Sequence, residues 1–540
     1  MGLVDGYYER VDSFDRLRVI SDLHFAARGV ASIISPESER ALAGWVRSLG
    51  AGAAPRAEGG QGVGGAGRAQ AGGRLGLVLN GDVVDFLASD DAAPFDPEGA
   101  ARKLGDILFV DAEHRQPRPF VAALRDFLDE PRHTLVVALG NHDVELALPD
   151  VLEALVRALS GGDDGRRGRI RLALNGAGYA CLVGGRRVYC VHGNDADPWN
   201  QVDHEMIRRA GLRRMAGRRV EPWVPNAGSL MVVKIMNEIK RRYPFVDLLK
   251  PEAGPLLGVL LALDKDLVRH QLSSPAVGPL LVELVEGKVR AGGVLAAAAP
   301  GPGAARGGAA APGVDVEAWG GAAAPGVDVE ALWGRAEAHW QSGRRPEEIA
   351  GGGSLGLAGY LRRLLAGGDV KPDLYDALST WAPSDRTFAL DPRLSGDPTF
   401  AYYDAEIGDE VAAVVTGHTH LARACLRRNG KGLYFNSGTW ADLIDVSKKI
   451  LSDQGAFGRF FEAVRGGQRG ALAPYLRDNA RTVVALDARE GGVLRGELRC
   501  VKGDDGEREA AAPDWDGGRA GARFEVDAAG RAGRYQPGAL

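Results

Sequence analysis

Six short apolar runs in this chain each end at a cluster of aspartate, histidine, asparagine or glycine residues. The runs cover residues 17–20, 75–79, 134–139, 188–191, 411–415 and 433–435, and the clusters after them read SDLH, NGDVVD, GNHD, HGN, TGHTH and NSGTW. Short β-branched runs bounded by turn residues are typical of buried strands. Because polar residues follow each strand directly, the pattern predicts a site assembled from loops at the carboxyl edge of a sheet.

The rest of the chain divides by its apolar spacing. Residues 120–128 and 151–159 have helical spacing, and two further strand-like stretches, 482–486 and 493–500, would complete the sheet of an α/β fold. Residues 229–272 also have helical spacing, which predicts a mostly helical insertion, or cap. The predicted organisation is a core in two parts, 1–200 and 401–502, a cap at 201–400, and a poorly ordered polar tail at 503–540.

A low-complexity linker is predicted inside the cap, at about residues 290–328. It contains AAAPGVDVEAWG and, directly afterwards, the near-copy AAAPGVDVEALWG. Two copies are too few for a solenoid. We therefore interpret them as a tandem duplication in a flexible linker.

Composition limits the class of protein. The chain has 540 residues, 25% of them charged, and a net charge of −5, which does not favour a nucleic-acid partner. The first residues lack the basic start and apolar core of a signal peptide, and no apolar run approaches the roughly 18 residues of a membrane span, which predicts a cytoplasmic protein. The four cysteines are too few for a disulfide scaffold and are interpreted as reduced core residues, with a Cys181–Cys190 bridge as the alternative.

The clusters contain the side chains that bind divalent metal ions. The candidate site residues in these clusters, as metal ligands or in catalysis, are Asp22, His24, Asp82, Asp85, Asn141, His142, Asp143, His192, His418 and His420. Carboxylate oxygens and imidazole nitrogens together suit Mn, Fe or Zn. A carboxylate can bridge two ions about 3.5–4 Å apart, and such a pair can clamp both oxygens of an in-line displacement at phosphorus. A water bound there would give a hydroxide nucleophile near neutral pH.

Five of these blocks, in this order, resemble the signature of the calcineurin-like metallophosphoesterase superfamily over about residues 16–200 and 405–445. The resemblance implies a four-layer α-β-β-α sandwich with two divalent ions between the sheet edges, Mn being expected and Fe or Zn the alternatives. It implies this set of ligands: Asp22, His24 and His420 for one ion, Asn141, His192 and His418 for the other, with Asp82 bridging both. It also implies attack on phosphorus by a hydroxide that bridges the two ions.

The resemblance gives His142 a catalytic role without metal binding. It would donate a proton to the leaving oxygen or stabilise the charged phosphoryl group, with Asp85 or Asp143 orienting its imidazole. From the residues alone, each of these aspartates could instead cap the segment that follows it.

Two other polar segments have both a structural and a functional interpretation. In HGNDADPW, turn formation is favoured and substrate contact is the alternative for Asn194, Asp195 and Asp197. The NSGTW segment, residues 436–440, is interpreted as a buried turn with an aromatic anchor.

Departures from other branches of the superfamily narrow the substrate. Protein serine/threonine phosphatases carry Arg-Gly where this chain has Phe86 and Leu87, and Glu in place of Asp143. Repair nucleases use extended basic surfaces, which the net charge does not favour. The closer likeness is to UDP-2,3-diacylglucosamine pyrophosphatases, which share SDLH, GNHD, GHTH and a helical cap. We therefore expect hydrolysis of a phosphoester or pyrophosphate bond in a phosphorylated small-molecule or lipid-linked nucleotide substrate.

Several alternatives stay open at this point. The chain could be a nuclease or a cyclic-nucleotide phosphodiesterase, or a non-catalytic scaffold that binds metal. The first part of the cap, from Arg208 to Lys250, is rich in arginine and lysine and could contact an anionic membrane surface peripherally. A solvated basic face over an ordinary helical core is the interpretation we prefer for it.

Overall fold

The fold comes from a computed structural model of the chain. It describes the residues in these ranges: 12–27, 30, 32–50, 73–89, 93–111, 116–221, 225–243, 246–250, 374–376, 378–379, 382, 385–446, 450–466, 469–477, 481–503, 508–511 and 522–535. The duplicated linker, and residues 251–272 of the predicted helical stretch, lie outside the described residues.

Strands and helices together make the described chain a mixed α/β fold. The described strands are β1 (Ser13–Phe14), β2 (Arg16–Ile20), β3 (Leu75–Asn80), β4 (Phe109–Asp111), β5 (Gln116–Pro117), β6 (His133–Ala138), β7 (Ile170–Ala173), β8 (Tyr179–Val183), β9 (Arg186–Cys190), β10 (Leu249–Lys250), β11 (Val411–Thr416), β12 (Arg423–Leu426), β13 (Leu433–Asn436), β14 (Ile444–Asp445), β15 (Thr482–Arg489), β16 (Val493–Lys502), β17 (Arg508–Ala511), β18 (Arg523–Val526) and β19 (Ala532–Arg534).

The described α-helices are α1 (Pro36–Gly50), α2 (Ala100–Leu108), α3 (Pro119–Asp129), α4 (Pro149–Ser160), α5 (Asp164–Arg167), α6 (His204–Met215), α7 (Ala227–Met231), α8 (Asn237–Arg242), α9 (Pro392–Ser395), α10 (Pro398–Glu406), α11 (Gln454–Arg465) and α12 (Arg469–Leu472). A π-helical stretch, Val232–Met236, joins α7 to α8. Within this part of the chain, every helix is too short or too polar to span a lipid bilayer.

A nine-stranded sheet carries the first three motifs. Its order is β19-β18-β16-β15-β2-β3-β6-β7, with β17 paired to β16. Strands β2, β3, β6 and β7 are parallel, and helices lie in the connections between them, whereas β15 is antiparallel to β2. Helices α1 to α4 bury their apolar faces in one core with this sheet, in which Trp45, Leu77 and Phe120 are fully or almost fully buried.

A six-stranded sheet carries the other three motifs. Its order is β1-β8-β9-β11-β13-β12, and β9, β11 and β13 are parallel. A second core contains side chains from both sheets, for example Val19, Val188 and Val415. On the other face of the six-stranded sheet lies helix α10. Its Phe400 packs edge-on against Tyr434 of β13, with ring centroids 5.0 Å apart.

Eight predicted strands and two predicted helices are confirmed, with bounds that shift by only a few residues: β2, β3, β6, β9, β11, β13, β15 and β16, with α3 and α4. The strand pattern alone pointed to one sheet edge. The structure divides the motifs between two sheets, because β2, β3 and β6 are neighbours in one sheet and β9, β11 and β13 are neighbours in the other. Within each sheet the carboxyl ends of these three strands share an edge.

The described residues of the predicted cap differ in part from the prediction. The predicted helix 229–272 is interrupted, because α8 ends at Arg242 and β10 then pairs in parallel with β14. Tyr243 precedes a proline, and a residue in that position is disfavoured in the α-helical region. The chain divides into two compact units, and α6 and residues 386–400 fall in the unit that holds both sheets. The second unit comprises Leu230–Asp385 and Leu443–Leu476.

The prediction of a poorly ordered tail is wrong for the parts of it that are described. Strands β17 and β18 each pair with β16, and β19 pairs with β18. The reason is a period-two pattern in β18, which buries Phe524 and Val526 in the core that the two sheets share.

All four cysteines are free and buried, which agrees with their interpretation as core residues. The alternative bridge is not formed. In the antiparallel pair β8–β9, Cys181 lies opposite Val188, and Cys190 lies opposite Tyr179.

Candidate metal centre

Several residues of the site have an unusual backbone conformation. Within the described residues, positive φ is adopted by five residues other than glycine: Asp22 (55°), His24 (45°), Asp82 (52°), His418 (70°) and His420 (60°). All five are among the predicted metal ligands. The left-handed conformation costs an L-residue roughly 1–2 kcal/mol and persists where the surroundings enforce it, most often at functional sites.

Backbone hydrogen bonds hold these turns together. The N–H groups of Leu23 and His24 both donate to the carbonyl oxygen of Asp82 at 2.9 Å, which joins the turn after β2 to the turn after β3. The N–H of His418 donates to both carboxylate oxygens of Asp22, at 3.1 and 3.0 Å, and so connects the loops of the two sheets. Hydrogen bonds within the protein therefore connect these motifs to one another without a bound ligand.

Two glycines allow this close approach. Gly81 has a φ of 84°, and a Cβ there would lie 2.5 Å from the Nδ1 of His192. A Cβ on Gly140 would overlap the Asp82 carboxylate. The glycines of the GD and GNHD motifs are thus required by space at these positions.

Asp22, His24 and His420 form the first of three groups that could hold a metal ion. The Nε2 atoms of His24 and His420 lie 3.0 Å apart, and Nε2 of His420 lies 3.5 Å from Asp22 Oδ1. Ligand nitrogens bind such ions at about 2.1 Å, so two of them at right angles around one ion are about 3.0 Å apart. The separation of the two imidazoles therefore fits a shared cation.

Asp82, His192 and His418 form a second such group. Nδ1 of His192 lies 2.9 Å from the carbonyl oxygen of Asn80 and donates to it, which leaves Nε2 as an acceptor. This buried Nε2 makes no well-formed hydrogen bond with any described residue, although Asp82 Oδ2 lies only 3.1 Å away. A carboxylate oxygen and an imidazole lone pair this close need a proton or a cation between them.

Asn141 supplies a further acceptor. Its Oδ1 is buried and has no hydrogen-bond partner among the described residues, while its Nδ2 donates to Oδ1 of Asn200 at 3.4 Å. A buried amide oxygen without a partner is costly. An ion in this position would satisfy it.

Asp82 lies between the two groups. Its Oδ2 is 3.5 Å from Nε2 of His24 in the first group and 3.1 Å from Nε2 of His192 in the second. Its Oδ1 accepts a hydrogen bond from the backbone N–H of His142 at 2.9 Å. One oxygen therefore faces both groups, while the other fixes the carboxylate to the backbone.

Asp85 joins the third group, which contains His24 and His142. Its Oδ1 lies 3.1 Å from Nδ1 of His142, and its Oδ2 lies 3.4 Å from Nδ1 of His24. Its Oδ1 also accepts from the N–H groups of Leu87 and Ala88, at 3.0 and 3.2 Å. Asp85 therefore caps the following turn and also contacts the His142 imidazole, and its role in orienting that ring stays a prediction.

The Asp143 side chain does not cap the segment that follows it and instead supports two turns of the site. Its carboxylate accepts hydrogen bonds from the N–H groups of Val83, at 2.9 Å, and Gly140, at 2.7 Å. It is fully buried and ties the GNHD turn to the turn after β3. The structure thus places Asp85 beside His142 and Asp143 beneath the two turns.

Burial makes the charges of the site depend strongly on one another. Burial raises the pKa of Asp22, and burial together with the nearby Asp82 carboxylate raises the pKa of Asp143 to about 7. Burial would also raise the pKa of Asp82, but His192 and His142 lower it well below its usual range. Burial alone would lower the pKa of His192, but Asp82 and Asp22 raise it to about 10. The cluster is therefore stabilised by positive charge, from protons or from metal ions.

The loop after His192 contributes two further residues to the site: Asp197, for which turn formation was the favoured interpretation, and Asn200, which the sequence analysis did not name. Asp197 accepts from the N–H of Trp199 at 3.0 Å, as the turn interpretation expects, but its Oδ2 also lies 3.2 Å from Nε2 of His418. Burial would raise the pKa of Asp197, but His418 lowers it to about 2. Asn200, whose amide bonds to Asn141, was missed entirely, because nothing in an isolated asparagine shows which side chain it will meet.

The NSGTW segment is a buried turn with an aromatic anchor, as predicted. The indole N–H of Trp440 donates to the Thr482 carbonyl at 3.1 Å, and the ring packs against Trp45. The turn also supports the site. The Thr439 hydroxyl donates to the Asp22 carbonyl oxygen at 2.7 Å, and the Asn436 amide donates to the Gly417 carbonyl oxygen at 2.7 Å.

The arginines of α6 form ion pairs with nearby carboxylates. Arg208 and Arg209 pair with Glu205 one turn earlier, at 2.6 and 3.0 Å. Arg214 pairs with Asp150 of α4 at 2.7 Å, and Arg213 pairs with Glu221. These pairs favour the interpretation of this helix as a solvated basic face.

Comparisons with known proteins do not assign a family. A scan against protein-family models finds no match for the chain, and a search of curated proteins finds none. The resemblance to metallophosphoesterases therefore stays a hypothesis that rests on the five motifs.

Proposed function

We propose that the chain is a metal-dependent phosphohydrolase of the calcineurin-like superfamily, with two divalent ions in its active site. One observation carries the proposal. Six histidine and aspartate side chains from four separate loops form two adjacent groups, each able to hold an ion, with Asp82 lying against both. Two neighbouring cation sites joined by a carboxylate are the usual arrangement for in-line displacement at phosphorus.

The ligand assignment follows the two groups. Asp22, His24 and His420 hold one ion, and Asp82 is shared. His192 and His418 hold the other together with Asn141, whose buried Oδ1 supports its place as a ligand. The neutral amide adds an oxygen ligand without adding charge to a cluster that already contains buried carboxylates.

The fold of this proposal is a four-layer α-β-β-α sandwich. Three separate cores support it. Helices α1 to α4 share one core with the nine-stranded sheet, the two sheets share a second, and α10 packs on the six-stranded sheet in a third.

The protein side chains position the substrate and move a proton. When bound, the ions supply Lewis acidity and activate a water molecule, with Mn as the expected metal and Fe or Zn as alternatives. The Asp85 carboxylate contacts Nδ1 of His142, so Nε2 of the same imidazole faces away from Asp85. The His142 side chain is 18% exposed, compared with 6% for Asp85, so it can reach a leaving oxygen and protonate it.

The substrate class is proposed from the motifs. A phosphoester or pyrophosphate in a small or lipid-linked nucleotide is expected, and the paired arginines of α6 give no particular support to membrane contact. A substrate panel that includes a cyclic nucleotide and single-stranded DNA distinguishes this substrate class from those of nucleases and cyclic-nucleotide phosphodiesterases.

The test is hydrolysis by Mn-loaded protein of a panel of substrates. The panel contains an aryl phosphomonoester, a bis-aryl phosphodiester, a UDP-sugar pyrophosphate, a cyclic nucleotide and single-stranded DNA. His142→Ala should keep its metal and lose about 10²–10⁴-fold in kcat. Asp82→Asn should lose metal and activity together.

Asp129→Asn is the matched control for Asp82→Asn. It makes the same chemical change at the exposed end of α3, just before β6 begins and so at the opposite edge of the sheet. It should leave activity unchanged. Protein that contains two Mn ions per chain and hydrolyses no member of the panel would contradict the proposal and support the scaffold alternative.

A further inference from the structure

The side chains Asp197 and Asn200 form a hydrogen-bonded chain between two proposed ligands of the same ion. Asp197 Oδ2 lies 3.2 Å from Nε2 of His418 and accepts from Nδ2 of Asn200 at 2.7 Å. Asn200 Oδ1 in turn accepts from Nδ2 of Asn141 at 3.4 Å. The path His418–Asp197–Asn200–Asn141 is therefore continuous.

Each bond in this path decides which atom of a ligand faces the ion. A carboxylate at Nε2 of His418 keeps the proton on that nitrogen, so Nδ1 is left to bind a metal. An acceptor at Nδ2 of Asn141 fixes the orientation of the amide, so its Oδ1 is the atom presented. His192 is oriented in the same way by a different group, the Asn80 carbonyl oxygen.

The loop that carries the two residues is itself well fixed. Asn194 Nδ2 donates to the Asn200 carbonyl oxygen at 3.0 Å, and the Asn200 N–H donates to the Asp197 carbonyl oxygen at 2.9 Å. Gly228 at the start of α7 lies directly against the Asn200 side chain, and its N–H donates to the Trp199 carbonyl oxygen at 2.8 Å. A Cβ on Gly228 would overlap the Asn200 amide.

We propose that Asp197 and Asn200 are positioning residues for the ion held by Asn141, His192 and His418, and that Gly228 keeps Asn200 in place. The inference rests on the proposed metal centre. It goes further because it assigns the loop after His192 to one of the two ions. The other ion, held by Asp22, His24 and His420, does not depend on this loop.

The test measures the two Mn-binding steps separately, by calorimetric titration of the metal-free protein, with metal content determined independently. Two reference variants assign the steps. His192→Ala removes a ligand of the ion held by Asn141, His192 and His418, and His420→Ala removes a ligand of the other ion. Asp197→Asn and Asn200→Ala should each weaken the step that His192→Ala abolishes, by about 10–100-fold, and leave the other step within about threefold.

Gly228→Ala tests the same step independently, because it changes neither a metal ligand nor a hydrogen-bonding side chain. It should weaken the same step as Asn200→Ala. Asp195→Asn is the matched control, since it makes the same change as Asp197→Asn two residues away in the same loop. It should leave both steps unchanged. Thermal unfolding of the metal-free variants verifies that each is folded.

The inference would be overturned if Asp197→Asn and Asn200→Ala weakened both Mn-binding steps equally, or if neither variant changed the affinity of either step. Wild-type protein that binds no Mn would overturn both it and the proposed function. Wild-type protein that binds two Mn ions but hydrolyses nothing would contradict only the proposed function, and the affinities of the variants would still decide the role of the loop.

Discussion

At the scale of single residues, buried charge is concentrated where the turns after the strands meet. Asp85 supports both the backbone and the side chains of the site, since it accepts two backbone N–H groups and contacts two imidazoles. Its neighbours His142 and His24 also hold its pKa well below the usual range, against the effect of burial. Such a carboxylate stays ionised and keeps both rings oriented.

Glu145 is a buried carboxyl group one turn beyond this cluster. Its Oε1 accepts from the N–H of Asp96 at 3.2 Å, and burial raises its pKa to about 8, compared with an ordinary value of 4.5. Because the folded state holds the proton more tightly, this group favours folding fully below pH 4.5, and that contribution is lost as the pH rises through about 8.

Glu145→Gln should therefore stabilise the protein at high pH. Each unit of pKa shift corresponds to about 1.4 kcal/mol, so the gain should approach a few kcal/mol above pH 8 and vanish near pH 4.5. Thermal unfolding of both proteins across this range measures it. A variant that is less stable than wild type at pH 9 would show that Glu145 is ionised and stabilising.

At the scale of elements, a helix glycine and a strand glycine differ in how closely they are packed. Gly105 lies in the middle of α2, and a Cβ there would meet nothing within 4 Å. Glycine within a helix is less favourable than alanine by about 0.5–1 kcal/mol, because its backbone loses more freedom on folding.

Gly105→Ala should raise the free energy of unfolding by about 0.5–1 kcal/mol, measured by denaturant titration. Gly496→Ala is the contrasting variant in β16. Its Cβ would lie 2.8 Å from atoms of Leu433 and Phe435, so it should destabilise by about 1–3 kcal/mol. Destabilisation by Gly105→Ala would mean that this face of α2 is packed more closely than the structure shows.

At the scale of the whole molecule, the site sits where six strands from two sheets end. The metal-free protein must hold several buried carboxylates together and five ligand residues in the left-handed backbone region. A bound cation offsets the repulsion between the carboxylates, so metal binding should be linked to folding.

Mn should therefore raise the Tm of the metal-free protein in a concentration-dependent way. One site occupied at about 100 times its Kd adds roughly 2.7 kcal/mol, which corresponds to a shift of several degrees. Scanning calorimetry in chelator and in increasing Mn measures it. Asp82→Asn should abolish the shift and Asp129→Asn should keep it. Identical Tm values in chelator and saturating Mn would refute the linkage.

Much of the framework could be predicted because its signals are local. A short β-branched run ending in SDLH or GNHD indicates a strand and a polar turn within about ten residues. The positions of β2, β3, β6, β9 and β11 follow from such runs, and so do the candidate ligands at their ends. The strands of the tail were missed because β18 is only four residues long and its sequence context is polar.

The sequence by itself determined which side chains could bind a metal and at which strand ends they stand, because strand patterns and ligand types are properties of neighbouring residues. Local patterns do not show which of them meet; the family resemblance implied the groups, and the tertiary structure brings the side chains together. His24 and His420 are 396 positions apart in the chain, and their Nε2 atoms lie 3.0 Å apart. The division of the motifs between two sheets and the role of Asn200 belong to the same category. They depend on how distant strands pack over a shared core, and no short stretch of residues determines this packing.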